Sequence, residues 1–86
     1  MGYYFVRMPN PMHQSRYSNF RKLLLAERLR QGVTQVDLAK RLRKPQSYVS
    51  KFERAERRLD VIEFLDICQA LGCDPHELLA KLMEEQ

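Results

Sequence analysis

From Ser18 onward, a residue that starts or stops a helix recurs every few positions, and this punctuation leaves room for short helices only. Ser18 or Asn19 can cap a first helix carrying Phe20, Leu23, Leu24 and the stem of Arg28, and Gly32 stops it. Thr34, with Asp37 three residues on, opens a second helix with the apolar face Val36, Leu38, Ala39 and Leu42. Only Arg43 to Pro45 separates it from a third helix. Pro45 suits the first turn of that helix, where its missing N–H is unpaired anyway, and Val49 and Phe52 point inward. A basic loop, Arg54 to Arg58, leads to Asp60, the cap of a fourth helix with the stripe Val61, Phe64, Leu65, Cys68 and Leu71. Gly72 ends it. Asp74-Pro75-His76-Glu77 then opens a fifth helix with Leu78, Leu79, Leu82 and Met83 on its apolar face.

The expected fold is therefore all-α, with five short helices over residues 18–86. Residues 1–17 contain Pro9, Asn10 and Pro11 and show no helical period. They read as an extended arm or tail, with a short strand at residues 3–7 as one option.

Composition narrows the function classes. The 86 residues carry a net charge of +4, with 44% hydrophobic and 30% charged residues, a globular balance. The charge is polarised. Residues 1–58 hold 14 Lys/Arg against four Asp/Glu, and residues 59–86 hold one against seven. The positive part attracts polyanions. No apolar run reaches membrane-spanning length, and Tyr3–Val6 is too short for a secretory signal, so no membrane role and a cytoplasmic location are expected. Cys68 and Cys73 have no histidine at zinc-ligand spacing, so no metal and no disulfide scaffold is expected. With no glycine-rich phosphate loop and no nucleophile–base arrangement, the chain is not expected to be an enzyme. It is expected to carry no cofactor and no small-molecule ligand.

Arg28, Gly32-Val33-Thr34-Gln35, Leu38-Ala39, the run Gln46 to Glu53, and Leu71-Gly72 together resemble the lambda-repressor-like helix-turn-helix family of the Cro, C1 and Xre type. The resemblance spans about residues 18–83. It implies a helix-turn-helix domain at residues 18–86 and binding to double-stranded DNA, with the third helix in the major groove. With Val49 and Phe52 turned to the core, Gln46, Ser47 and Lys51 share the outward face and are the candidate base readers. Glutamine suits adenine N6 and N7, and lysine suits guanine O6 and N7. Gln35 opens the second helix, where free N–H groups favour phosphate. Tyr48, Ser50, Arg43, Lys44, Arg54, Arg57 and Arg58 are candidate contacts to the DNA backbone.

The resemblance also implies that Arg28 and Glu53 form a structural ion pair. One departure stands out: the family's glycine after this glutamate is Ala55 here, which allows the third helix to run on by a residue or two. The implied function is a transcriptional regulator, a repressor acting as a homodimer on a pseudo-palindromic operator. The dimer would form through Leu78, Leu79, Leu82 and Met83. An antitoxin, a restriction-modification controller or a protein-interaction adaptor are the alternatives. The arm at 1–17 is left open between lying beside DNA, joining a second subunit through Tyr3–Val6, and having no fixed structure.

Overall fold

The computed structural model describes residues 11–84, and these form five helices: α1 (Pro11–Arg30), α2 (Gln35–Leu42), α3 (Gln46–Glu53), α4 (Val61–Leu71) and α5 (Pro75–Glu84). The expected strand at 3–7 and the Tyr3–Val6 contact lie outside the described residues.

The first helix starts seven residues before the expected cap at Ser18. Pro11 occupies its first position, where proline loses no hydrogen bond and already has a helical φ. Tertiary contacts hold the last of the added residues, Tyr17, and the turn after it. Tyr17 packs at 5.6 Å on Phe20, and Phe20 at 5.3 Å on Phe64 of α4. The Tyr17 hydroxyl accepts the backbone N–H of Leu59 at 3.2 Å. The boundary drawn between residues 17 and 18 thus falls inside a helix, and residues 11–17 are not an extended arm.

The helix starts follow local chemistry. Thr34 caps α2 and Asp60 caps α4, each in a reciprocal capping box, with Asp37 and Glu63 as the returning carboxylates. Pro45 is the N-cap of α3, one position before its expected place. Four helices end in one backbone motif, with Gly32, Arg43, Ala55 and Gly72 in the left-handed region. After α3, for example, the N–H of Glu56 bonds the carbonyl of Lys51 at 2.8 Å and that of Ala55 bonds Phe52 at 3.2 Å. The third helix therefore does not run on: it stops at Glu53, and Ala55 holds the place of the family's glycine at φ 63°.

A left-handed alanine costs about 1–2 kcal/mol, part of which a glycine would return as unfolded-chain entropy. Ala55→Gly is expected to stabilise the domain by about 1 kcal/mol, raising Tm by about 4–8 °C in a calorimetric scan.

The core comprises Leu24, Val33, Leu38, Ala39, Val49, Phe52, Phe64, Ile67, Cys68, Leu71 and Leu78. Several expected core residues lie elsewhere. Val36, Val61 and Leu65 are exposed, whereas Ile67, absent from the expected stripe, is buried. The Asp60 box sets the rotation of α4 so that Phe64, Ile67, Cys68 and Leu71 face inward. Val61 and Leu65 are carried to the outer surface with Ile62. Leu78 is buried as well, so it closes the core and is withdrawn from the proposed dimer face. Cys68 and Cys73 are free thiols flanking the turn at Gly72, and burial pushes the Cys68 thiol up to about 12. A thiol held protonated in this way is a packing group.

Candidate nucleic-acid interface

Helix α3 is anchored by Val49 and Phe52, both essentially fully buried, and by Glu53, which is 7% exposed. A buried carboxylate needs partners, and Glu53 has several. Arg28 donates from Nε at 2.6 Å and from Nη2 at 3.0 Å to its two oxygens. The third arm of the same guanidinium, Nη1, bonds the carbonyl of Val33 at 2.7 Å, just before α2. Gln35 donates from Nε2 to Glu53 Oε1 at 2.8 Å, and its own Oε1 accepts from Gln46 at 3.4 Å. One chain of bonds thus ties α1, the start of α2 and both ends of α3. Arg21 adds a bond from Nη1 to the Glu53 carbonyl at 2.7 Å.

This clamp leaves the opposite face of α3 open. Gln46, Ser47 and Lys51 are exposed, and Ser50 is half-buried with its hydroxyl on the carbonyl of Ser47 at 3.3 Å. Gln35, expected to hold phosphate, already uses its amide at both ends. One of its N–H groups remains beyond these bonds.

Tyr48 sits on the flank, away from this face. Its ring meets Phe52 edge-on at 5.6 Å and carries Arg57 at 4.8 Å and Lys44 at 5.3 Å over it. Burial, and secondarily the nearby Glu63 carboxylate, raises its hydroxyl pKa. Tyr48 is therefore a platform that holds two cations beside the helix.

The flanking charges differ in availability. Arg43 and Lys44 are exposed at the entry to α3. Arg54 is paired with Glu56 at 2.9 Å, Arg57 with Glu63 at 2.7 Å, and Arg58 lies over the Tyr17 ring at 4.2 Å. Sequence reasoning missed the two carboxylates. Glu56 stands two residues past Arg54, and Glu63 is the third residue of a capped helix, so both positions were visible. It also missed Arg21, and Arg41, whose Nη1 bonds the Ala70 carbonyl at 2.9 Å and ties α2 to the end of α4.

The Arg57 guanidinium and the Asp60 backbone N–H pull the Glu63 carboxyl down to about 2. A carboxylate depressed in the folded state stabilises above its unfolded value, near 4.3, and loses that contribution as pH falls through the folded value. The Glu63 carboxyl is expected to titrate near pH 2 by NMR, and Glu63→Gln to flatten the loss of stability between about pH 4 and 2.

Residues 24–78 match the helix-turn-helix family. The fold superimposes on an XRE-family like protein from Pseudomonas syringae pv. tomato with a TM-score of 0.85. The two are 53% identical, over 88% of this chain and 93% of that one. The chain belongs to the Xre-type helix-turn-helix family. This is a family of DNA-binding transcription regulators. A second Xre-type likeness is the restriction-modification controller protein C.Esp1396I, solved as a tetramer on its natural 35-base-pair operator. It is 27% identical, with a TM-score of 0.73, covering 81% of this chain and 92% of that one. The clp gene regulator ClgR from C. glutamicum shares the fold at 24% identity and a TM-score of 0.73, over 83% and 92% of the two chains. No curated protein matches. Among the described residues, no helix is long and apolar enough to cross a membrane.

Proposed function

We propose that this Xre-type protein is a repressor that binds a specific, inverted-repeat DNA sequence as a homodimer. One observation carries the reading: α3 is locked from behind by the Arg28–Glu53–Gln35 bonds while Gln46, Ser47 and Lys51 are exposed on its outer face. A B-DNA major groove is about 12 Å wide and takes one helix. Gln46 reads adenine, Lys51 reads guanine, and Ser47 contacts either. Arg43, Lys44, Ser50, Arg54 and Arg57 meet the phosphates flanking the groove, with Glu56 and Glu63 giving way to phosphate oxygens. Gln35 adds its remaining N–H to the nearest phosphate.

A single module of this type buries about 600–1,000 Å² on DNA, too little for high specificity alone, so two copies are required. Leu79, Leu82 and Met83 of α5 supply the self-association surface, joined by the exposed Ile62 and Leu65 of α4. Selection of bound fragments from a random duplex pool tests the whole reading: a short inverted repeat is expected. A single unrepeated site would remove the homodimer, and failure to enrich any sequence would remove specific recognition. A promoter-fusion reporter carrying the selected site then separates repression from activation.

The likeness to C.Esp1396I favours a restriction-modification controller as the variant of this reading to test beside it. An adjacent restriction endonuclease gene would establish it.

A further inference from the structure

The α1 turns that precede residue 24 lie outside the segment matched to the family, and they carry a basic cluster that the recognition face does not use. A cleft of about 330 Å³ is lined by Tyr17, Ser18 and Arg21 of α1 and by Ala55 and Arg58 of the loop after α3. Arg16 and Arg58 border the neighbouring cleft across Tyr17. Three arginines thus line two clefts that share Tyr17 and Arg58, with the Arg58 guanidinium 4.2 Å from the Tyr17 ring. Among the described residues none of the three is paired with a carboxylate, unlike Arg28, Arg30, Arg54 and Arg57. Arg21 is also under-used. Its Nη1 bonds the Glu53 carbonyl, its Nη2 reaches Ser18 Oγ only at 3.5 Å, and its Nε is buried with no acceptor. The Tyr17 hydroxyl accepts from Leu59 and keeps its own proton to donate. Like charges held together beside spare donors repel one another until an anion joins them.

The position selects the anion. Arg21 grips the last carbonyl of α3, so the cleft lies at the C-terminal end of the recognition helix. Eight residues of helix span about 12 Å, whereas the major groove is about 8.5 Å deep. When the first turn of α3 touches base edges, its far end therefore stands at the level of the phosphates. We infer that Arg21, Arg58, Ser18 and Tyr17 form a second phosphate-binding site, which takes a DNA backbone phosphate flanking the bases read by α3. Helix α1 thereby widens the footprint of each subunit. Arg16, exposed at the rim, supports the same strand electrostatically.

This inference rests on the proposed DNA binding, and its test separates the two. Arg58→Gln and Arg21→Gln are made singly in the full chain and measured on the selected operator across a salt series. Each is expected to weaken binding about tenfold at low salt, to lower the slope of log K against log salt by about one, and to leave base preference unchanged. Ethylation interference on wild type is expected to find one phosphate per half-site, outside the base-read positions, whose modification blocks binding. That interference should vanish in Arg58→Gln. Because Arg21 also bonds α3, thermal unfolding is measured for its variant. Arg58, which makes no bond to α3, carries the test if Arg21→Gln unfolds. Unchanged slopes together with unchanged interference would overturn the phosphate site while leaving the operator reading intact. Wild type that binds no DNA at low salt would overturn both.

Discussion

Glu53→Ala is expected to lower the unfolding free energy by about 3–5 kcal/mol, the cost of stranding one member of a buried ion pair. The variant leaves Arg28, a residue only 8% exposed, with only the Val33 carbonyl as a partner for its guanidinium. It also removes the acceptor that fixes the Gln35 amide, whose Oε1 in turn accepts from Gln46. A small domain has about 5–15 kcal/mol of stability in all, so urea titration should find the midpoint sharply reduced. DNA affinity should fall further than the unfolded fraction explains, because the prop behind α3 is gone. The double variant Arg28→Met, Glu53→Leu distinguishes the causes. With both charges removed, it is expected to recover much of the stability but not the affinity. Equal loss in the single and double variants would mean that packing, not the stranded charge, sets the cost.

Lys51→Ala and Gln46→Ala are expected to reduce operator affinity by about 1–3 kcal/mol each, or about 5- to 150-fold, and to relax preference at one base position per half-site. Both side chains are exposed, so stability should change little. Arg57→Ala provides the contrast. Arg57 is a proposed phosphate contact, so the substitution should weaken binding to all sequences alike and reduce the salt dependence. Its loss should be smaller than an unpaired arginine would give, because in the free protein Arg57 already gains from Glu63 at 2.7 Å. Fragment selection repeated with each variant reads these outcomes directly. An unaltered selected motif with Lys51→Ala would place the base contact elsewhere.

The helix starts were legible because capping is a local matter. Thr34 with Asp37, and Asp74 before Pro75, announce themselves within four residues. The helix ends were legible only where glycine marks them. Arg43 and Ala55 adopt the same left-handed geometry as Gly32 and Gly72, but the backbone bonds that hold them there leave no trace in residue type. The early start of α1 was hidden for another reason. Tyr17 and Phe20 gain from aromatic contacts and a hydroxyl bond to residues more than 40 positions away, which no local period reports. The rotation of α4 was misjudged because five apolar residues, Val61, Ile62, Leu65, Ile67 and Leu71, admit more than one inward stripe. At the site, the outward direction of Gln46, Ser47 and Lys51 follows from Val49 and Phe52 alone. The pairing of Arg54 and Arg57 depends on how the chain turns at Ala55, and so it waited for the fold.

That turn is closed by main-chain bonds, from Ala55 to Phe52 and from Glu56 to Lys51. The exposed side chains of Arg54, Glu56 and Arg57 add ion pairs to it, but they do not close it. On the proposed function, a descendant could exchange them one by one and retune grip on the sugar–phosphate strand without re-aiming the helix that spells out the site, so that adhesion and reading are separately heritable.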